Sequence, residues 1–373
     1  MWGVRRKMKL LHLAILSSVL VVSSIICVKA ETSNPLLKGD RSFSIAITLG
    51  EDNSFERALK SAESSGMDRR SEMQINWNEI EISPETYTYD VVEIATRYFF
   101  IPDTPIILTL SPLYNLEDGR PEDLRHLPFN HPRVVSRFKK MISWVLKELK
   151  GANIDVELFV FGNEFDLFIG VEYAIKSKNL ELWKQKWGEI TELYEQSISH
   201  LKTISPGIQV AAEMTSDSLL GNAKPFALRM NQKSDVIGVS HYMKNTDTDL
   251  HIPPENVASY FAELLSVYPY KPVYFLQYGY SSKSSMGSSE EEQRQFILNT
   301  FAAWDLYHYS IPYICFTWLH ELHPEVTNAM VSKLGPPDEK AIGFFGGIGL
   351  LNHDGTKKPA FIELTKQAKL RGW

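Results

Sequence analysis

The sequence predicts an α/β fold, a (β/α)8 TIM barrel in a single domain, from three observations. Short apolar runs alternate with longer amphipathic segments in one unbroken series of eight units. The apolar runs are nearly continuous, as in parallel strands that are covered on both faces. The first run leads into Leu49-Gly-Glu-Asp-Asn-Ser54. That segment is not the Gly-rich turn expected of the alternative, a doubly wound open sheet.

The elements are predicted in order along the chain. The eight strands are placed near Phe43–Leu49, Glu72–Trp77, Pro105–Leu110, Val156–Gly162, Ile208–Glu213, Val236–Ser240, Val273–Gln277 and Tyr313–Trp318. Helical patterns between them include Ser54–Ser65, Arg133–Leu149, Leu182–Ser205, Pro254–Tyr268 and Glu290–Tyr309. The barrel domain is assigned to residues 41–373, and no domain boundary interrupts it. We expect Ser281–Ser289 to be a mobile loop at the active-site face and Gly343–Gly349 to be a loop.

The first thirty residues are typical of an export signal. A basic start is followed by the apolar run Leu10–Val28, and Val28 and Ala30 occupy the small-residue positions of a cleavage site. The alternative is an uncleaved membrane anchor, since about 18 apolar residues can span a bilayer. Residues 31–40 are interpreted as a short leader. The protein is therefore expected to be exported, periplasmic or extracellular, with membrane attachment only through an uncleaved N-terminal segment.

Charge and cysteine content exclude several classes of protein. Residues 1–30 carry five of the 39 basic residues and no acidic one, so the remainder has 34 basic and 45 acidic residues and a net charge of −11. This argues against nucleic acid as a partner, because binding phosphates needs concentrated positive charge. Only Cys315 remains beyond residue 30, so no intramolecular disulfide is expected, and its place in a strand indicates a core residue. No metal-binding pattern and no cofactor motif is identified.

The candidate binding and catalytic residues lie at the C-terminal ends of the predicted strands, because in a barrel these ends converge on one mouth. This mouth is rich in aromatic rings, carboxylates and amides, a mixture suited to sugars, which offer apolar faces and many hydroxyls. The residues at these ends are Trp77, Asn78, Ser111, Tyr114, Asn163, Glu164, Asp166, Glu213, His241, Tyr242, Gln277, Tyr278, Trp318, His320 and Glu321.

Glu164 is the strongest catalytic candidate. It follows a buried apolar strand and Gly162-Asn163, so its carboxyl group should lie at the mouth. An aromatic pocket would raise its pKa by desolvation and let it donate a proton to a leaving oxygen. The alternative is a loop glutamate that caps the next helix.

Two other positions, His241 and Trp318, have two interpretations each. His241 and Tyr242 either line the pocket or, for His241, form a structural hydrogen bond. Trp318 either forms a floor for a sugar ring or belongs to the core. Asn163 is expected to bond a substrate hydroxyl, and Trp77 and Tyr278 are predicted to contact substrate.

Together these positions resemble the (β/α)8 glycoside hydrolase superfamily called clan A. The segment Phe161-Gly-Asn-Glu164 is similar to the fourth-strand motif, in which Asn precedes the acid/base glutamate. The segment from Trp77 to Asp90 is similar to the family's stretch after the second strand, and Trp318 matches its eighth-strand tryptophan. Asp235–Tyr242 resembles the sixth strand, and Gly349–Ala360 resembles the closing segment. The resemblance implies a retaining mechanism on a β-linked oligo- or polysaccharide, with Glu164 as general acid/base.

The sequence departs from that family at the seventh strand, where Gln277-Tyr278-Gly279 stands in place of the nucleophilic glutamate, an aromatic residue and Gly. Glutamine has nearly the same shape but no charge, so it cannot serve as an efficient nucleophile. Three interpretations remain open. Another carboxylate (Asp166, Glu213 or Glu321) replaces it, the substrate supplies its own nucleophile while Gln277 orients it, or the protein is a non-catalytic carbohydrate-binding protein of the cell envelope. An inverting reaction would need a carboxylate about 6.5–9.5 Å from Glu164.

Overall fold

A computed structural model of the chain describes residues 35–245, 248–334 and 338–373, except for the side chains of residues 333 and 334. All eight predicted strands are present, each built on an apolar run rich in Val, Ile, Phe and Leu, residues that suit a covered pleated surface. In chain order they are β1 Ser42–Ile45, β2 Met73–Asn76, β3 Ile106–Tyr114, β4 Val156–Asn163, β5 Gln209–Thr215, β6 Ile237–His241, β7 Val273–Tyr278 and β8 Tyr313–Phe316. The predicted α/β class is thereby confirmed.

The strands follow one another around the sheet in the order of the sequence, and all neighbouring pairs on this path are parallel. The first strand pairs with the last, Ser42 opposite Tyr313, which brings the two ends of the series together as in a barrel. Within the described residues no ladder joins β1 to β2. There the backbone N–H of Phe43 donates to the Asp68 carboxylate at 3.1 Å, ahead of β2.

Helices cover the outside of the sheet and begin close to their predicted positions. Their N-termini are stabilised by side chains that accept backbone N–H bonds, such as Ser54, Asn179 and Ser289. The main helices are α1 Phe55–Glu63, α2 Pro132–Gly151, α3 Leu180–Ile204, α4 Lys224–Asn231, α5 Val257–Val267, α6 Glu290–Leu306, α7 Pro324–Leu334, α8 Glu339–Gly347 and α9 Pro359–Arg371. Within the described ranges, no helix is both long and apolar enough to cross a membrane.

Alternate residues of each strand face two different layers of the core. One layer lies inside the sheet and contains Leu158, Val160, Leu276 and Cys315, so the prediction that Cys315 is a core residue is confirmed. The other, larger layer lies between the strands and the helices and includes Phe159. This alternation determines which residues near the end of each strand face the mouth.

Three expectations need correction or fall outside the described residues. Gly343–Gly349 is not simply a loop, because its first five residues form the end of α8. Ser281–Ser289 was expected to be mobile, yet Ser281 and Met286 are buried and the segment is bonded to α8. The predicted export signal and the leader up to residue 34 lie outside the described residues. From Leu36 onward the chain belongs to one compact unit.

Candidate active site

Glu164 lies at the mouth end of β4 because of an irregular turn. Gly162 has φ +69° and Glu164 has φ +44°, both in the left-handed region. A side chain at position 162 would come within 2.9 Å of the Phe165 ring, so only glycine fits there without a rearrangement. The register of β4 against β3 also shifts here, between Leu110 and Tyr114. The break in the strand turns Asn163 and Glu164 toward the same group of side chains.

The Glu164 carboxyl group is partly exposed and sits in a protein environment that favours its protonated form. Desolvation raises its pKa to about 7, and the negative charge of Asp166 acts in the same direction. The Ser240 hydroxyl donates a hydrogen bond to Glu164 Oε1, and this bond, with the charge of Lys244, lowers the pKa. A carboxyl group with a pKa near 7 is suited to general acid catalysis at neutral pH.

Beside Glu164, two amides share one buried carboxylate. Asn163 Nδ2 donates to Glu213 Oε2 at 2.8 Å, and Gln277 Nε2 donates to Glu213 Oε1 at 3.0 Å. The Tyr242 hydroxyl donates to Gln277 Oε1 at 2.6 Å. The network therefore fixes the orientation of the Gln277 amide from both ends, and it connects β4, β5, β6 and β7 at the mouth.

A β-bulge aims Gln277 into this network. Leu276 already faces the inside of the sheet, so strict alternation would turn Gln277 outward. The register of β7 against β6 shifts between Phe275 and Gln277, and the extra residue lets Leu276 and Gln277 both face inward. The sequence pattern alone contains no signal for this bulge.

Each of the three candidate replacement carboxylates is engaged by protein groups. Glu213 is fully buried with both oxygens bonded to amides. Asp166 accepts from the backbone N–H of Thr215 at 3.1 Å and from its hydroxyl. Glu321 accepts from Lys358 at 2.9 Å and from Lys283 at 3.0 Å. All three carboxylates therefore already accept hydrogen bonds from the protein.

Sequence reasoning missed Glu72 as a member of the site. Its carboxyl group accepts a hydrogen bond from the Thr109 hydroxyl, and burial together with the charge of Glu164 raises its pKa to about 7. The charges of Glu72 and Glu164 also add to the desolvation that raises the pKa of Glu213. Glu72, Glu164 and Glu213 thus form a carboxyl cluster. The sequence placed Glu72 at the start of a strand and contains no sign of its spatial neighbours.

Three predicted substrate contacts are directed away from the network. The Trp77 ring is fully buried and its N–H donates to Glu81 at 2.6 Å. Tyr278 is buried with its hydroxyl 3.1 Å from that of Thr300. His241 is buried and its ring stacks on Tyr260, with ring centroids 3.5 Å apart. In these positions the three side chains pack against the helix layer and do not line the mouth.

The contacts of His241 fit a hydrogen-bonded structural role better than a role in lining the pocket. Its Nδ1 lies 2.9 Å from the Ser216 hydroxyl. Burial lowers the pKa of His241 to about 3, so the ring is neutral at physiological pH. Its neighbours Ser240 and Tyr242 face the opposite side and reach Glu164 and Gln277, as strand alternation requires.

Trp318 is half-buried at the end of β8, and its ring lies near Phe345 of α8. A separate groove of about 610 Å³ lies between the loops that follow β2 and β3, with Asn78 and Ile82 in its lining. The residues of the Glu164 network do not line that groove, so the carboxyl cluster and the groove are separate sites.

Comparisons with solved structures give the same fold for nearly the whole chain. A GH5_18 protein from Streptomyces cattleya, in complex with Manβ1-4GlcNAc, is 15% identical and covers 88% of this chain and 80% of its own, with a TM-score of 0.66. A GH5_18 protein from Bifidobacterium longum is 12% identical, with coverages of 88% and 78% and a TM-score of 0.64. An exo-β-1,4-mannosidase from an Opitutaceae bacterium is 12% identical, with coverages of 91% and 62% and a TM-score of 0.59.

The chain is thus similar in fold to these solved structures. No protein-family model matches the chain, and no match is found among curated proteins. At these identities the likeness concerns the fold alone, and any activity depends on the side chains at the mouth.

Proposed function

We propose that the protein is a glycoside hydrolase that acts on O-glycosidic bonds of a β-linked oligo- or polysaccharide, with Glu164 as its general acid. The observation that carries the proposal is the Glu164 carboxyl group, partly exposed at the barrel mouth with a pKa near 7. The adjoining amides of Asn163 and Gln277 are of the kind that bonds sugar hydroxyls.

In this reaction Glu164 transfers its proton to the glycosidic oxygen as the bond between that oxygen and the anomeric carbon breaks. The sugar develops oxocarbenium-like charge, and an attacking group forms the new bond at the anomeric carbon. When that group is water, the water's proton restores Glu164 to its acid form. Glu164 is ionised at that point because it has just given its proton to the glycosidic oxygen, and a pKa near 7 suits it to both proton transfers.

The attacking group comes from outside the protein in this proposal. Gln277 has no charge, and Asp166, Glu213, Glu321 and Glu72 each already accept a hydrogen bond from a protein group. Water or an acetamido group of the substrate remains as the attacking group. Comparing aryl β-glycosides with and without an acetamido group at the reacting sugar distinguishes the two, since only substrate assistance requires that group.

A second candidate function is carbohydrate binding without cleavage. It is favoured by the Gln277 amide, whose donor and acceptor are both bonded, to Glu213 and Tyr242. An amide held this firmly at the nucleophile position is what a protein that retains a glycan without attacking it would need.

One set of variants separates the two functions. Turnover of aryl glycosides, β-linked polysaccharides and Manβ1-4GlcNAc, the disaccharide bound by the Streptomyces neighbour, is measured for the wild type and for Glu164→Gln. Wild-type turnover that is lost in Glu164→Gln supports the hydrolase. Turnover that survives in Glu164→Gln contradicts the role given to Glu164. The exposed Glu181→Gln serves as a control.

The binding-only function is tested by restoring a carboxylate at position 277. The single change Gln277→Glu would place it against Glu213, so we pair it with Gln277→Glu/Glu213→Gln. In the double variant, the new amide at position 213 can accept from Asn163 and donate to the new carboxylate at position 277, which exchanges acid and amide while keeping these hydrogen bonds. Activity that appears only in the double variant supports a binding protein on a hydrolase fold.

A further inference from the structure

A row of aromatic rings runs along one side of the mouth, from Gln277 to Trp318. Tyr242, which bonds Gln277, meets the Phe344 ring edge-on with centroids 5.1 Å apart. Phe344 contacts Phe345 at 4.9 Å, and Phe345 lies 6.2 Å from Trp318. Phe344 and Phe345 belong to the last turn of α8, which overlaps the segment Gly343–Gly349 that is predicted to be a loop.

Phe345 and Trp318 form the open part of this row. Both are half-buried, whereas Phe344 is only 8% exposed. The planes of Phe345 and Trp318 differ by 21°, so the two faces are nearly parallel. Their centroids lie 6.2 Å apart, within the range of aromatic pairs, and both side chains keep part of their surface exposed.

We infer that Phe345 provides a second sugar-stacking surface beside Trp318, so that the site takes two consecutive neutral sugar units of a β-linked glycan. This inference rests on the proposed carbohydrate specificity but not on cleavage. The apolar face of a pyranose ring matches a flat aromatic surface, and two adjacent, nearly parallel surfaces match two linked rings better than one.

The position of Phe345 is held by bonds to the backbone of α8 and the residues after it. The Ser281 hydroxyl donates to the Gly343 carbonyl at 2.8 Å, and Lys358 Nζ donates to the carbonyls of Gly347 at 3.1 Å and Gly349 at 2.7 Å. A ring that is already positioned loses little conformational freedom on binding, which favours affinity.

The test compares the dissociation constants of β-linked disaccharides, Manβ1-4GlcNAc and cellobiose, with those of mannose, glucose and GlcNAc, measured by calorimetry on the full chain. We expect the wild type to bind a disaccharide more tightly than its single sugars. Phe345→Ala should weaken disaccharide binding on the order of tenfold while changing monosaccharide binding little. Phe345→Leu keeps apolar volume without a flat face and should behave similarly, and Phe345→Tyr should retain affinity.

Phe99→Ala, at a half-buried phenylalanine of the segment Ala95–Phe99 between β2 and β3, is the matched control. Thermal unfolding of every variant shows whether it is folded. Unchanged disaccharide affinity in folded Phe345→Ala or Phe345→Leu overturns the second stacking surface and leaves the proposed function intact. A wild type that binds neither class of sugar overturns this inference together with the proposed carbohydrate specificity.

Discussion

At the scale of single residues, the proton on Glu164 is the property on which the proposed chemistry depends. Its carboxyl group should titrate near pH 7, because burial disfavours the ionised form. In Ser240→Ala the pKa should rise further, since the hydroxyl bond that stabilises the carboxylate is lost. Carboxyl ¹³C NMR across pH 4–10 measures both values, with Glu164→Gln to assign the signal. A titration near the ordinary value of about 4.3, or no shift in Ser240→Ala, would contradict this account.

The contact between Gln277 and Glu213 gives a second residue-level prediction, on stability. In Gln277→Glu two carboxyl groups would face each other where the Gln277 amide now donates a 3.0 Å hydrogen bond to Glu213. The pKa of one of the two carboxyl groups must therefore rise. A folded-state pKa above the unfolded value means that stability is retained at low pH and lost as pH rises through the folded pKa.

Urea unfolding of the wild type, Gln277→Glu and Gln277→Glu/Glu213→Gln at pH 5 and pH 8 measures this effect. Gln277→Glu should lose about 1–3 kcal/mol more free energy of unfolding at pH 8 than at pH 5, relative to wild type. The double variant should show little of this pH dependence. An equal loss at both pH values in Gln277→Glu would mean that the two carboxyl groups do not interact.

At the scale of elements, the sequence predicted the strands well and the directions of their last side chains less well. Continuous apolar runs identify covered parallel strands, and all eight were found. The facing of Gln277 depends on a bulge in β7, and that of Glu164 on the turn at Gly162. Adjacent candidates such as His241 and Tyr242 cannot both face the mouth on a regular strand.

Contacts between distant strands were beyond sequence reasoning for a different reason. The position of Glu72 in the carboxyl cluster, and the bonds of Glu213 to both amides, depend on strand stagger in three dimensions. The first five residues of Gly343–Gly349 are helical, and the sequence did not indicate this because repeated glycines weaken a helical pattern. In the structure, bonds from Lys358 and Ser281 stabilise this backbone.

The buried Lys358 joins three elements at the mouth and should be necessary for their stability. Its ammonium group bonds Glu321 after β8, Ser282 after β7, and the carbonyls of Gly347 at the end of α8 and Gly349 beyond it. Lys358→Met should lower the free energy of unfolding by about 3 kcal/mol, the low end for a broken buried pair, because Lys283 still faces Glu321.

Urea unfolding of Lys358→Met, Glu321→Met and the double variant provides the measurement. The double variant should be destabilised by less than the sum of the two single changes, since neither charge is then buried alone. Additive losses would show that the two side chains act independently.

At the scale of the whole molecule, one carboxylate connects the beginning and the end of the barrel. Asp305 of α6 accepts from Arg41, just before β1, at 2.8 Å and from Arg371 of α9 at 2.7 Å. The side chains of these arginines are only 2% and 4% exposed. Asp305 therefore neutralises two buried charges next to β1, the strand that pairs with β8 and closes that side of the sheet.

Asp305→Asn should consequently lower the free energy of unfolding by at least about 3 kcal/mol, because both guanidinium groups would remain buried without their counter-charge. The matched control is Glu85→Gln, which removes an ion pair with Lys140 whose side chains are 51% exposed, and it should cost less than about 1 kcal/mol. Urea unfolding followed by tryptophan fluorescence and by circular dichroism measures both. Similar losses in the two variants would mean that Asp305 does not stabilise the closure, whereas a large loss with coincident transitions means that the contact stabilises the barrel as one cooperative unit.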